Sequence, residues 1–113
     1  MDFNQYQKEA LKTDSYGGKG EITSLAFINK LLGLVGESGE VAEKFKKIYR
    51  NNNGVMSLEE KDLIIKELGD VLWYLSVISN YLEVPFSEVA KKNIEKLRDR
   101  LERNVIKSAG DTR

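Results

Sequence analysis

The sequence predicts an all-α protein, a bundle of four helices in a single domain. Apolar residues recur at helical spacing over long stretches, there is one proline in the whole chain, and no segment shows the alternation of a half-buried strand. At 113 residues the chain fits one domain. A domain this short buries a smaller share of its surface than a large one, so association with further copies would help to stabilise it.

The first helix is predicted over about 2–12. Asp2 can cap it, and Phe3, Tyr6, Gln7 and Ala10 share a face. Residues 13–20 contain Gly17, Gly18 and Gly20 and read as a loop. The second helix is expected over about 23–49, with Ile28, Leu31, Leu32, Val35, Ala42, Phe45 and Ile48 near the 3.6-residue period. Asn51-Asn52-Asn53-Gly54 ends it. Ser57 and Glu60 have the spacing of a capping box and open a third helix over about 58–82. Its core stripe reads Ile64, Leu68, Val71, Leu75, Ile78 and Leu82. Pro85 suits the first turn of a fourth helix carrying Phe86, Val89, Ala90, Asn93, Ile94, Leu97 and Leu101. Residues 104–113 are expected to form a loose tail. Short connections favour antiparallel neighbours in a bundle.

Composition removes several function classes. Lys plus Arg and Asp plus Glu are both 18, so no basic surplus points to nucleic acid. No run approaches the ~20 apolar residues of a membrane span, and the polar start lacks the apolar core of a secretory leader. With no cysteine there is no disulfide or thiol chemistry, which fits a cytoplasmic setting. With no histidine, a Ser-His-Asp triad is excluded, and any metal site must use oxygen ligands. Oxygen ligands favour magnesium, manganese or calcium.

Carboxylates three apart on a helix project from one face. Glu37 and Glu40 form such a pair on the second helix, Glu67 and Asp70 another on the third. Set side by side, the two pairs would repel unless a hard divalent cation lay between them. Glu40/Glu43, Glu59/Asp62 and Asp99/Glu102 share the spacing, so spacing alone is weak. Context separates them. Glu59 and Asp62 stand near a helix start, where they complement its dipole. Asp99 and Glu102 alternate with Arg98, Arg100 and Arg103, as on a solvated face. Glu67 and Asp70 instead continue into Tyr74, Val77 and Tyr81. Gly33, Gly36 and Gly39 lie around the first pair and Gly69 within the second. Each costs a helix about 1 kcal/mol against alanine, which suggests close helix approach or room for a ligand.

The runs Gly33-Leu34-Val35-Gly36-Glu37-Ser38-Gly39-Glu40-Val41-Ala42-Glu43-Lys44 and Lys66-Glu67-Leu68-Gly69-Asp70-Val71-Leu72-Trp73-Tyr74 resemble the two motifs of the MazG-like nucleotide pyrophosphohydrolases. Asn93-Ile94-Glu95-Lys96-Leu97 resembles a segment of that family's last helix. The resemblance covers most of the chain and is to single-domain members, including phage-type ones. It implies an oligomeric all-α fold and magnesium-dependent cleavage of nucleoside or deoxynucleoside triphosphates to monophosphate and pyrophosphate, with manganese as a possible substitute. It makes Glu37, Glu40, Glu67 and Asp70 the catalytic metal ligands, and Asn93 and Lys96 candidates for phosphate or sugar contact.

Further expectations follow from that reading. Lys44, Lys46 and Lys47 are available to hold phosphates, and Tyr74, one heptad from Glu67, to border the pocket. Trp73, turned further round the helix, is expected in the core or at a subunit interface. Phe3, Tyr6 and Tyr16 pack or stack on a base; Lys107, Asp111 and Arg113 either fray or fold over a neighbouring site. The expected assembly is a homodimer or homotetramer, with no nucleic-acid or membrane partner. Two alternatives remain open: phosphoribosyl-ATP pyrophosphohydrolase activity, and a helical interaction domain without catalysis.

Overall fold

Asp2 and Ser57 each close a reciprocal capping box, accepting from the backbone of Gln5 and Glu60 while those side chains accept from Asp2 and Ser57 in return. These caps begin two of the four helices in the computed structural model of the chain, which describes residues 1–15 and 20–106. The elements are α1 (Phe3–Leu11), α2 (Leu25–Asn52), α3 (Leu58–Tyr81) and α4 (Phe86–Ile106), and no strand occurs among the described residues. The predicted all-α class and the four helices are therefore present. Expected boundaries shift by a few residues: Ser24 caps α2, and α2 runs on to Asn52 before Asn53 and Gly54 turn left-handed at φ 53° and 83°. The expected loose tail begins later than the sequence suggested, because 104–106 complete the last turn of α4. Tyr16, Gly17, Gly18, Lys107, Asp111 and Arg113 lie outside the described residues.

The end of α3 is closed without a glycine. Glu83 takes the left-handed conformation at φ 59°, Val84 N–H donates to Ser79 C=O (3.1 Å) and Glu83 N–H to Asn80 C=O (3.0 Å). This is a Schellman closure with Glu at the position that usually favours Gly. The chain then enters α4, whose first amides lie beyond any intrahelical partner. Side chains of α1 accept them instead: Phe86 N–H donates to Gln7 Oε1 (3.0 Å) and Ser87 N–H to Asn4 Oδ1 (2.9 Å). The buried Gln7 amide also donates to Ser76 C=O (2.9 Å), so one side chain joins α1, α3 and α4. Phe3 meets Phe86 edge-on at 5.3 Å.

The main helix pair is α2 with α3; α1 lies on α3, and α4 meets α1 and α3 but makes no close backbone approach to α2. The core holds Ala10, Ile48, Ile64, Val77, Tyr81 and Phe86. Ile48 and Ile64 of the expected stripes are in it, and Val71 and Ile78 are half-buried, but the rest of those stripes departs from expectation. On α3, Val77 is fully enclosed, whereas Leu68, Leu75 and Leu82 are 51%, 38% and 57% exposed. On α2, Ile28, Leu31, Leu32 and Val35 are exposed, as are Val89, Ile94, Leu97 and Leu101 on α4. The reason is geometric: α3 turns its carboxylate-bearing face into the seam with α2, which leaves the leucine face outward. The Cα radius of gyration is 17.6 Å, against about 13 Å for a compact domain of this length.

Candidate metal centre

α2 and α3 carry Glu37, Glu67 and Asp70 to one point of their seam. A carboxylate oxygen from each lies within 4.8 Å of the others. Glu37 and Glu67 are half-buried and Asp70 is exposed. Glu40 is not in this set. Three residues on from Glu37 it lies about 60° round the helix, and it faces solvent. Its charge still reaches Glu37. Partial burial, then the charges of Asp70 and Glu67, a hydrogen bond with Glu67 and finally Glu40 push the Glu37 carboxyl above the usual carboxylate range. Like charges converging on one carboxyl raise its proton affinity, and a divalent cation would relieve the same strain. The donor set, all carboxylate oxygen, fits a hard ion such as magnesium.

Beside the carboxylates opens a cleft of about 310 Å³ lined by Thr13, Glu37, Asp70, Trp73 and Tyr74. Tyr74, expected to border a nucleotide pocket, lines this cleft. Its ring lies where a Cβ on Gly33 would fall, at 2.3 Å, so Gly33 is what lets the ring sit between the helices. The other motif glycines have no such contact: a Cβ on Gly36, Gly39 or Gly69 would meet nothing within 4 Å. Close packing thus explains one of the four.

Trp73, expected in the core or at a subunit interface, lies in the wall of this cleft. It is half-buried in the cleft wall, at 4.9 Å and 84° to the Tyr74 ring. Its indole N–H donates to Thr13 Oγ1 (2.8 Å) and at 3.3 Å to Ala10 C=O. These bonds tie the ring to α1 and the turn that follows it. The Lys30 ammonium stands 5.2 Å from the indole centroid and 2.9 Å from Asp14 Oδ1. Both charged side chains are buried, at 7% and 1% exposure. Thr13, Asp14 and Lys30 carried no motif signal. An Asp in a loop and a Lys on a helix are ordinary surface residues until the fold joins them.

The remaining candidates lie elsewhere. Lys44 reaches Glu67 at 3.9 Å, while Lys47 is exposed and outside the cleft lining. Asn93 and Lys96 are exposed on α4 and also outside the lining. Tyr6 approaches from α1: burial, then the Asp70 charge, raises its phenol above the ordinary value and keeps it neutral.

Comparison with known proteins gives the family. Residues 27–105 match the family described as the MazG nucleotide pyrophosphohydrolase domain. The chain is 42% identical to the gene 37 protein of Mycobacterium phage L5, over the whole length of both. No solved structure matches it significantly.

Proposed function

This chain belongs to the MazG nucleotide pyrophosphohydrolase family, and on that premise we propose that it hydrolyses nucleoside or deoxynucleoside triphosphates to monophosphate and pyrophosphate with magnesium. The observation that carries the reading is the meeting of Glu37, Glu67 and Asp70 within 4.8 Å. These three carboxylates would hold the ion, with manganese as a substitute and Glu40 adding negative charge from one turn along α2. Magnesium, when bound, offsets the charge of the triphosphate and of the departing pyrophosphate. In a chain without histidine, a carboxylate of this group takes the proton of the attacking water. Lys44 is the cation placed to meet a phosphate, and the Tyr74 ring limits where the nucleotide lies.

We also propose that the working form is a homodimer or homotetramer in the cytoplasm. The exposed leucines of α2, α3 and α4 and the large radius of gyration support it, because large exposed apolar patches mark interfaces. Asn93 and Lys96, on a helix that does not approach α2 within one chain, would then face the cleft of a neighbouring copy. No helix among the described residues is long and apolar enough to cross a membrane.

The test is product analysis after incubation with a panel of nucleoside triphosphates and magnesium. Monophosphate with pyrophosphate is the expected pair. Diphosphate with orthophosphate as first products would overturn the reaction while leaving a metal site standing.

A further inference from the structure

One wall of the cleft comes from a part of the chain that the family match does not cover. The match begins at residue 27, whereas Thr13 and Asp14 precede it and Thr13 lines the cleft beside Glu37 and Asp70. This wall is held with unusual thoroughness for a half-exposed surface. The Thr13 hydroxyl donates to Ala10 C=O (2.7 Å) and accepts from the Trp73 indole (2.8 Å). The ammonium of Lys30 lies over the Trp73 ring, and Asp14, the next residue after Thr13, binds that ammonium. The other partner of the ring is Tyr74, itself seated over Gly33.

Two consequences follow. The indole N–H is spent inside the protein, so Trp73 offers the cleft its ring and no free donor. A flat, aromatic group can stack on such a ring. The ring is also fixed before any ligand arrives, so little side-chain freedom is lost on binding.

On the reading that this is a nucleoside triphosphate pyrophosphohydrolase, we infer that Thr13 and Trp73 form the specificity wall for the base, held in position by the buried Asp14–Lys30 pair, while Glu37, Glu67 and Asp70 serve the phosphate end. Selection of the base is thus assigned to the turn after α1 and to one face of Trp73, and the chemistry to the α2–α3 seam. Thr13 acts through Trp73 as a positioning residue.

The test compares the wild-type chain with Thr13→Val, Thr13→Ser and Trp73→Phe on a panel of nucleoside triphosphates with magnesium. Valine keeps the shape of Thr13 and loses the hydroxyl; serine keeps the hydroxyl. The expected result for Thr13→Val is a loss of discrimination, the ratio of kcat/KM between best and worst bases falling on the order of tenfold, as for small changes in a selective pocket. KM for the best base should rise with little change in kcat, and Thr13→Ser should restore much of the ratio. Trp73→Phe should lose discrimination in the same way, and it carries the test if Thr13→Val loses its helical circular dichroism.

Trp73 is the single tryptophan of the chain, so its emission gives a second readout. An α,β-methylene triphosphate, which cannot be cleaved between those phosphates, should shift it saturably in the wild type and less in Thr13→Val. An equal fall for every base in Thr13→Val and Trp73→Phe, or an unchanged ratio, overturns the inference and leaves the pyrophosphohydrolase reading intact. Unchanged emission in an active wild type saturated with the analogue overturns it too. A wild-type chain inert on the whole panel overturns that reading and the inference with it.

Discussion

Two stripes run along α3, and the chain treats them in opposite ways. One, through Glu67, Asp70, Tyr74, Val77 and Tyr81, turns into the seam with α2 and α1 and ends in the enclosed Val77 and Tyr81. The other, from Ile64 through Leu68 and Leu75 to Leu82 at the helix end, is more regular and more apolar, yet it is enclosed only at Ile64 and exposed at its leucines. Burial of apolar area favours the leucine stripe going in, at about 25 cal/mol per Å². The chain instead packs the stripe that brings carboxylates from two helices together. What decides the orientation is the set of specific contacts on the first stripe and its neighbours: Tyr74 over Gly33, Trp73 to Thr13, and Gln7 to Ser76. The outward leucines remain exposed on the single chain.

The largest expected effect tests the inward stripe. Glu67→Gln keeps the shape of the side chain and removes one charge from the carboxylate group. Hydrolysis should fall by at least about a hundredfold, the size seen when one preorganised electrostatic group is removed from an active site. Helical content should be unchanged. Glu102→Gln, on the solvated face of α4, should leave the rate near that of the wild type. Equal rates in the two folded variants would remove the centre from the α2–α3 seam.

The outward stripe is tested by charge. Leu68→Glu leaves the fold of one chain intact, because Leu68 is already half-exposed, but places a carboxylate in any interface formed there. Burying an unpaired charge costs several kcal/mol, so sedimentation should show the variant shifted to monomer at micromolar concentration while the wild type remains associated. If the wild type is itself a monomer, the leucines have no covering copy.

Glycines sharpen the contrast within α2. Gly33→Ala drives a methyl group into the Tyr74 ring at 2.3 Å and should destabilise the chain by about 1–3 kcal/mol, the usual cost of overpacking. It should also lower activity, since Tyr74 borders the cleft. Gly36→Ala meets nothing within 4 Å and should stabilise the helix by up to about 1 kcal/mol. Paired melting curves of the two variants check the difference in sign.

Much of this was legible in the sequence, and the misses share a cause. The four helices follow from period, caps and the Asn-Gly stop, all local signals. Glu37, Glu67 and Asp70 could be singled out by spacing and by the apolar company of the second pair. The spacing rule could not separate Glu40, because residues three apart share a face without sharing a distance to the next helix. The leucines were read as core with Ile48 and Ile64 because periodicity reports that a face is apolar and does not say how far along it the next helix packs. The place of Trp73 in the cleft wall was not legible because it depends on Thr13, some sixty residues away, and on the Asp14–Lys30 pair. The caps of α4 were invisible for the same reason: Asn4 and Gln7 supply them from the other end of the chain.

The smallest expected effect is in pH, and it tells whether the inward stripe is held together by its own contacts or by a cation. The Glu37 carboxyl titrates above its ordinary value in the folded chain because of partial burial and then of its acidic neighbours. The unfolded chain keeps the ordinary value. Between the two, the folded state binds a proton that the unfolded state does not, so without metal the stability should rise as pH falls through the folded value towards the unfolded one. Below the unfolded value this group gives no further gain. Metal binding has the opposite sign, because the ligands must be deprotonated, so the stabilisation by magnesium should shrink over the same fall in pH. Thermal melts in chelator and in magnesium, from pH 7 down to the carboxylate range, should therefore converge. The effect is small because Glu37 is only half-buried and solvent screens it. Glu37→Gln should abolish the rise in chelator and weaken the response to magnesium. A wild type whose two curves stay parallel across that range would mean that the carboxylates of the seam titrate independently and hold no ion.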